Sequence, residues 1–494
     1  MEPSRHPPLL QGAVLMGVLS VVACSDPLLP VSPPSPEETA SIVAANREAL
    51  SLAPGTVGHV VVLGAEKAPS KALMTAIEAA GGRIVKRYDR IGVLIAKGLS
   101  DADAAKLRSR SEVAAASRDR LVQWQPDVSG LTVRNAPVKA AGNPAGAVFY
   151  DLQWNMRQIQ ADKAWEVTPQ GKNSRVCVLD SGIDPTHLDL EGKVDFARSA
   201  SFIAEPVIPE IPVLAGQFDI IDYRFHGTFV ASQIATNGIG MASVAPRTSL
   251  CVVKVLNVFG TGSFEALIAG VIHSADVRAD VINMSVGAYL DVALVDDPLK
   301  ALLIALQRAI LYANARGSLV VASSGNDGID LDADGTMIHV PSQMLGVLSV
   351  SATGPTNQAD FDDLAAYSNF GRTGVILAAP GGNAGELGIF EDGIFGVCSS
   401  FQLTLPFACD QVSFIGGGDG TSFAAPHVTG LAAVVESGAP ANQNSVDLAN
   451  CAILGADRVD GQKFSASFGF GRIDVFDAVT IEGCGPSTPI ASHD

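Results

Sequence analysis

Six short, almost wholly apolar runs constrain this chain more than any other feature: Arg175–Leu179, Cys251–Val255, Val281–Asn283, Leu319–Ala322, Val347–Val350 and Val375–Ala378. A strand with one wet face alternates polar and apolar residues, whereas a strand covered on both faces reads as a continuous apolar run. Helical patterns lie between the runs. One is opened by Asp297-Pro298, a cap and a first-turn proline, and closed by Gly317. Strand and helix in alternation predict an α/β fold, a mostly parallel sheet with helices on both faces. Ligands of such sheets bind beyond the carboxyl ends of the strands, so reactive residues are sought there.

The sheet does not use the whole chain. At 494 residues the sequence has room for two to four units of ordinary size. Residues 1–23 read as an export signal: Arg5 and His6 precede an uncharged stretch from Leu9 to Ala23, too short for a spanning helix. Residues 24–54 form a proline-rich tether. Residues 55–125 carry the pattern of a small α+β, ferredoxin-like domain. Its strands are His59–Leu63 and Arg90–Ile95, its helices Pro69–Ala80 and Ser100–Leu107, and Arg120–Trp124 is its last strand. Residues 126–148 read as a linker and processing region, 149–480 as the large domain and 481–494 as a tail.

A net charge of −18 leaves no cationic surplus for a phosphate backbone and argues against nucleic acid as a partner. Apolar residues at 47% against 17% charged exclude a disordered chain. Seven cysteines, less Cys24, leave the even number expected of an oxidising compartment. Cys398 and Cys409 on a loop-like stretch are the first expected pair, and Cys451 with Cys484 the second. Cys177 and Cys251 sit inside apolar runs and read as buried thiols.

Three segments at the predicted strand ends carry an acid, a base and a nucleophile. Asp180 follows Val178-Leu179, His226 opens Phe225-His-Gly-Thr228, and Ser422 lies in Gly420-Thr-Ser-Phe-Ala-Ala-Pro-His427. A hydroxyl attacks a carbonyl only when an imidazole takes its proton, and the imidazole needs a carboxylate to fix its tautomer. Of the other histidines, His6, His59 and His493 lie outside the large domain, and His273 and His427 lie within helix patterns. His187 and His339 lack a His-Gly-Thr context. No His-Glu-x-x-His or Gly-x-Ser-x-Gly motif is present.

These segments, in the order Asp, His, Ser, closely resemble the three motifs of the subtilisin-like serine peptidases, over roughly residues 55–480. The resemblance implies an endopeptidase acting through an acyl-enzyme. Ser422 is then the nucleophile, His226 the general base and acid, and Asp180 the residue orienting His226. Asn326, in Ser323-Ser-Gly-Asn-Asp327, supplies the oxyanion hole, with Gly325 beside it. Gly260-Thr261-Gly262 and Ser285-Val286-Gly287 resemble the two walls that clasp an extended peptide. No cofactor is needed for the chemistry. The family's loop site implies a structural calcium ion at Asp189 and Asn237, with Ile239 and Met241 as carbonyl donors.

By the same resemblance the small domain is an inhibitory propeptide, a partner carried on the same chain. It holds many of the cations, among them Lys86, Arg87, Arg90, Arg108, Arg110, Arg118 and Arg120. Cys24 after Val-Val-Ala resembles a lipoprotein acylation site, which gives two destinations, lipid-anchored in the cell envelope or secreted. Three features depart from the family pattern: Phe423 stands where many members have Met, and inserts run from Ala204 to Gly216 and from Asn383 to Phe414. The competing expectation is a catalytically silent subtilisin-like binding protein or surface lipoprotein.

Overall fold

A computed structural model describes residues 58–125, 130–137, 142–206, 216, 219–291, 299–333, 335–440 and 443–486. The expected signal, the tether, Cys24, the Asp297-Pro298 cap and most of the Ala204–Gly216 insert lie outside these residues.

The apolar runs become the heart of a seven-stranded sheet. β1 (His59–Leu63), β2 (Arg83–Tyr88), β3 (Val93–Lys97), β4 (Val113–Arg118), β5 (Leu121–Gln123) and β6 (Thr132–Asn135) precede it in the chain. The sheet consists of β7 (Arg175–Asp180), β8 (Ala200–Ser201), β9 (Ser249–Lys254), β11 (Val281–Met284), β13 (Leu319–Ser323), β15 (Val347–Thr353) and β16 (Leu377–Pro380). Its order is β16-β15-β13-β11-β7-β9-β8, and every pairing is parallel.

Why the runs are continuous is visible in β7. Val176 and Val178 face one hydrophobic core, while Cys177 and Leu179 face another. The first core is closed by the helices His226–Ile234 and Thr421–Gly438, the second by Phe264–Asp276 and Lys300–Ala315. Both faces of the strand are dry, so Val176–Leu179 between its two charged ends are all apolar.

Register brings Cys177 opposite Cys251 on neighbouring β7 and β9, with their Cα atoms 4.3 Å apart, and the two form a disulfide. The expectation of two free buried thiols is therefore corrected. The cause is a strand register that joins residues 74 apart in sequence. Cys398–Cys409 and Cys451–Cys484 are paired as expected.

The small unit is a four-stranded antiparallel sheet, β2-β3-β1-β4. One face covers its own helices, Lys71–Ala79 and Asp101–Arg108, through Val61, Leu73, Ile77, Leu94 and Leu107. The other face, with Val60, Val62, Val93 and Ile95, shares a core with Phe264–Asp276 and Lys300–Ala315 of the large domain. Two of its strands escape a hydrophobicity reading. β2 is largely polar and half exposed, and β4 is rich in alanine. Arg120–Trp124 is not the last strand of this sheet: β5 leaves it and pairs antiparallel with β10 (Thr261–Ser263) of the large domain. Nor is the stretch read as linker patternless, since β6 joins β17 (Ile394–Val397) and β18 (Ser413–Gly418) in a three-stranded sheet. Among the described residues no helix is long and apolar enough to cross a membrane.

Candidate active site

Asp180 is the last residue of β7 and is buried, with 1% of its surface exposed. Its Oδ1 accepts from the Ser181 amide at 2.7 Å, and its two oxygens lie 3.0 and 3.1 Å from His226 Nδ1. His226 begins the helix His226–Ile234, whose approach to β7 depends on glycine. A Cβ at Gly227 would stand 2.2 Å from the Gly182 carbonyl oxygen.

Asp222, not singled out in the sequence, holds this helix in place. Its Oδ1 accepts from the Ser181 hydroxyl and the Arg224 and Phe225 amides, and its Oδ2 from the Thr228 amide and hydroxyl, all within 2.7–3.0 Å. A carboxylate four residues ahead of the histidine was the available signal, in the manner of an N-terminal helix cap.

Ser422 is at the start of the Thr421–Gly438 helix. Its hydroxyl donates to the Ser285 carbonyl at 3.2 Å, while the Ser285 hydroxyl donates to the Ser422 carbonyl at 2.7 Å. Asn326 is turned by Thr421, whose amide and hydroxyl both donate to Asn326 Oδ1 at 2.8 and 2.7 Å. With its oxygen committed, the carboxamide keeps its Nδ2 hydrogens for another acceptor. Gly325, at φ +105°, accommodates Asn369, because a Cβ there would lie 2.1 Å from Asn369 Nδ2. Asn369 Oδ1 in turn accepts from the Asp327 and Ile329 amides.

The two expected walls stand on either side of β5 and the two residues after it. Thr261, Gly262 and Ser263 pair with Gln123, Val122 and Leu121. The Trp124 and Gln125 amides donate to the Gly260 carbonyl at 3.1 and 3.3 Å, and the Gly287 amide donates to the Trp124 carbonyl at 3.1 Å. The Trp124 ring is buried against Phe264, centroids 5.1 Å apart, in the same apolar cluster as Val286. The Gln125 side chain reaches Asp180 and His226 themselves, with Nε2 2.9 Å from Asp180 Oδ1 and 2.6 Å from His226 Nδ1. Neither Trp124 nor Gln125 carries a local sequence signal for this place.

Three further large-domain histidines, His187, His339 and His427, are buried and held neutral. Burial pushes His187 and His427 down to about 4 and His339 to about 3. His339 packs behind both Gly287 and Gly325, against which a Cβ at either glycine would collide.

The donors at Asp189 and Asn237 do not fit a cation. Asp189 Oδ1 accepts from the Ile239 amide at 2.7 Å, and Oδ2 accepts from Gly240 and Met241 amides at 2.8 and 3.0 Å. Asn237 points its Nδ2, a donor, at the Leu188 and Glu191 carbonyls. The Ile239 and Met241 carbonyls accept from the Val148 amide and the Thr236 hydroxyl. The loop turns amides, not carbonyls, toward the carboxylate, which makes it an anion nest. As hydrogen-bonded here, Asp189 and Asn237 are not free to serve as the expected calcium ligands.

The sequence profile of the subtilase family (peptidase S8) matches residues 171–471, a span that contains Asp180, His226, Asn326 and Ser422. The chain belongs to the subtilase family. It is a serine-type peptidase by that membership. It is 30% identical over 349 residues to a thermophilic serine proteinase of Bacillus sp. (strain AK1), covering 69% of this chain and 70% of that one. It is 27% identical to thermitase of Thermoactinomyces vulgaris, covering 68% of this subtilase and 99% of thermitase. In fold it is similar to the epidermin leader peptide processing serine protease of Staphylococcus aureus, at a TM-score of 0.67 and 21% identity. That likeness covers 85% of this chain and 97% of the other.

Proposed function

We propose that this subtilase is an exported serine endopeptidase made as a self-processed precursor, with residues 55–125 as its intramolecular inhibitor. The observation that carries the reading is the path of residues 121–125, which run antiparallel to Thr261–Ser263 and end with a side chain against Asp180 and His226. A polypeptide substrate would add to the same edge in the same extended form, held through main-chain bonds.

In this reading, once the cleft is free, His226 Nε2 takes the Ser422 proton as Oγ attacks the scissile carbonyl, and later gives that proton to the leaving amine. Water then hydrolyses the acyl-enzyme by the same route. Asp180 keeps the other imidazole nitrogen protonated. The negative charge on the carbonyl oxygen is met by Asn326 Nδ2 and the Ser422 backbone amide, at the positive end of the Thr421–Gly438 helix. The orientation of Asn326 by Thr421 supports its role. No cofactor enters the chemistry.

Export is supported by the leader-like residues 1–23 and by three cysteine pairs. A lipid on Cys24 is tested by fatty-acid labelling of wild type and Cys24→Ser. For the activity, wild type and Ser422→Ala are expressed as full chains, and chain size and casein hydrolysis are followed. Loss of the small domain and casein cleavage in wild type alone is expected. A wild type that cleaves neither itself nor casein would leave the silent, binding-only subtilase as the reading.

A further inference from the structure

We propose that the outer edge of β18 is a second peptide-binding edge of this subtilase. It takes the part of a substrate that follows the scissile bond and favours a cationic side chain over Phe390. The proposal rests on the endopeptidase reading and deepens it, because the two cleft walls receive only the part of a chain that arrives at Asp180 and His226.

In the three-stranded sheet, β18 is covered by β17 on one edge and by β6 on the other. β18 runs toward the nucleophile, since Ser422 lies four residues beyond Gly418 (422 − 418). β6 is antiparallel to it, with Thr132 opposite Gly416 and Asn135 opposite Ser413, and therefore runs away from Ser422. Residues 121–125 end against Asp180 and His226, and by Gly130 the chain lies at β18. A Cβ on Gly417 would stand 3.2 Å from the Gly130 carbonyl oxygen. The chain thus comes in along one wall and goes out along β18, the course of a substrate that crosses the cleft.

What seats β6 is general to extended polypeptide. All four of its residues are exposed, so the pairing is made mostly by main-chain bonds, which any extended chain can make. Two side-chain contacts add to it. Arg134 sets its guanidinium 4.6 Å from the centre of the Phe390 ring, and the Ser413 hydroxyl donates to Asn135 Oδ1 at 2.8 Å. The half-buried Phe390 ring lies across Gly416, where a Cβ would stand 2.1 Å from it. Past β6 the chain is anchored by buried Ala136, whose amide donates to the Val412 carbonyl at 3.0 Å. Processing within residues 126–148 leaves β6 free at one end. A strand with a free end can be exchanged for a substrate strand of the same form.

The test uses the self-processed enzyme obtained from the full chain and two peptides, one copying residues 121–131 and one copying residues 121–137. The longer peptide should be cleaved with a kcat/KM about tenfold higher or more, through its added main-chain bonds. Arg134→Glu in that peptide should take back about threefold of the gain. Phe390→Leu in the enzyme should erase the difference between this altered peptide and its parent. Both are read on one enzyme, so the result does not depend on how much of the variant folds. Casein is the control. Activity on casein with no gain from extension, or with neither peptide cut, overturns this site alone. A preference for arginine that survives Phe390→Leu overturns the part given to that ring. A wild type inactive on casein as well overturns the endopeptidase reading and this site with it.

Discussion

Two buried aspartates, Asp180 at the end of β7 and Asp189 nine residues beyond it (189 − 180), are put to opposite uses. Asp189 is answered entirely by the main chain, three amides from one loop. Asp180 is answered largely by side chains, the His226 ring and the Gln125 carboxamide, besides one amide. A carboxylate met by fixed amides can only hold a loop. One met by groups that carry or lose a proton can take part in chemistry. Burial alone does not distinguish the two sites.

The sharpest way to break this comparison is to neutralise each acid in turn. Asp180→Asn should lower kcat by about 10⁴ with the unfolding midpoint nearly unchanged. Full activity in that variant would remove Asp180 from the catalytic couple. Asp189→Ala should do the reverse. It leaves three buried amides unpaired and should cost about 3 kcal/mol in denaturant unfolding, with activity per folded molecule unaltered. Because the nest holds a carboxylate and not a cation, a calcium chelator should leave the wild-type midpoint where it was. A chelator-dependent fall traced to this loop would restore the calcium expectation.

A third buried acid extends the comparison to the contact between the small unit and the large domain. Asp119 accepts from the Glu265 amide at 3.2 Å, and burial, with the Glu265 charge adding to it, pushes its carboxyl up to about 7. Glu265 itself is raised by burial, against the opposing charge of Lys97. An acid raised by docking favours the docked state while it is protonated. That contribution is complete below its ordinary value of 3.8 and is lost as pH rises through about 7. In the Ser422→Ala chain, cut between the two units, release of the small unit should therefore increase with pH over this range. Asp119→Asn should flatten the dependence.

The smallest effect concerns Phe423, which follows Ser422 in the chain and has its ring 5.6 Å from that of His226. Phenylalanine has no sulfur to oxidise, so activity should survive dilute peroxide, and Phe423→Met should lose it severalfold faster.

Much of this was legible locally. Six of the seven strands of the parallel sheet are written as apolar runs because both their faces are dry, the edge strand β8 being only two half-buried residues, and Asp180, His226 and Ser422 stand at the ends of such strands or at helix starts beside them. The cleft walls were readable as glycine-bearing segments, since backbone has to approach backbone there. The departures all involve partners distant in sequence. Asp189 and Asn237 have the composition of a cation site, yet which way the 237–241 loop turns its amides is a tertiary fact. Asp222 gives a weak cap signal, but only the fold connects it to Ser181.

By itself the sequence determined the parallel α/β sheet and the order of the Asp180, His226 and Ser422 segments, because these follow from patterns a few residues long, while the Cys398–Cys409 and Cys451–Cys484 pairs were expectations that the fold met. Only the tertiary structure decided that Cys177 meets Cys251, that β5 leaves its own sheet for the cleft, and that Gln125 ends against Asp180 and His226. Each is a matter of register between segments far apart in the chain. Register is set by how whole faces pack, which no local pattern encodes.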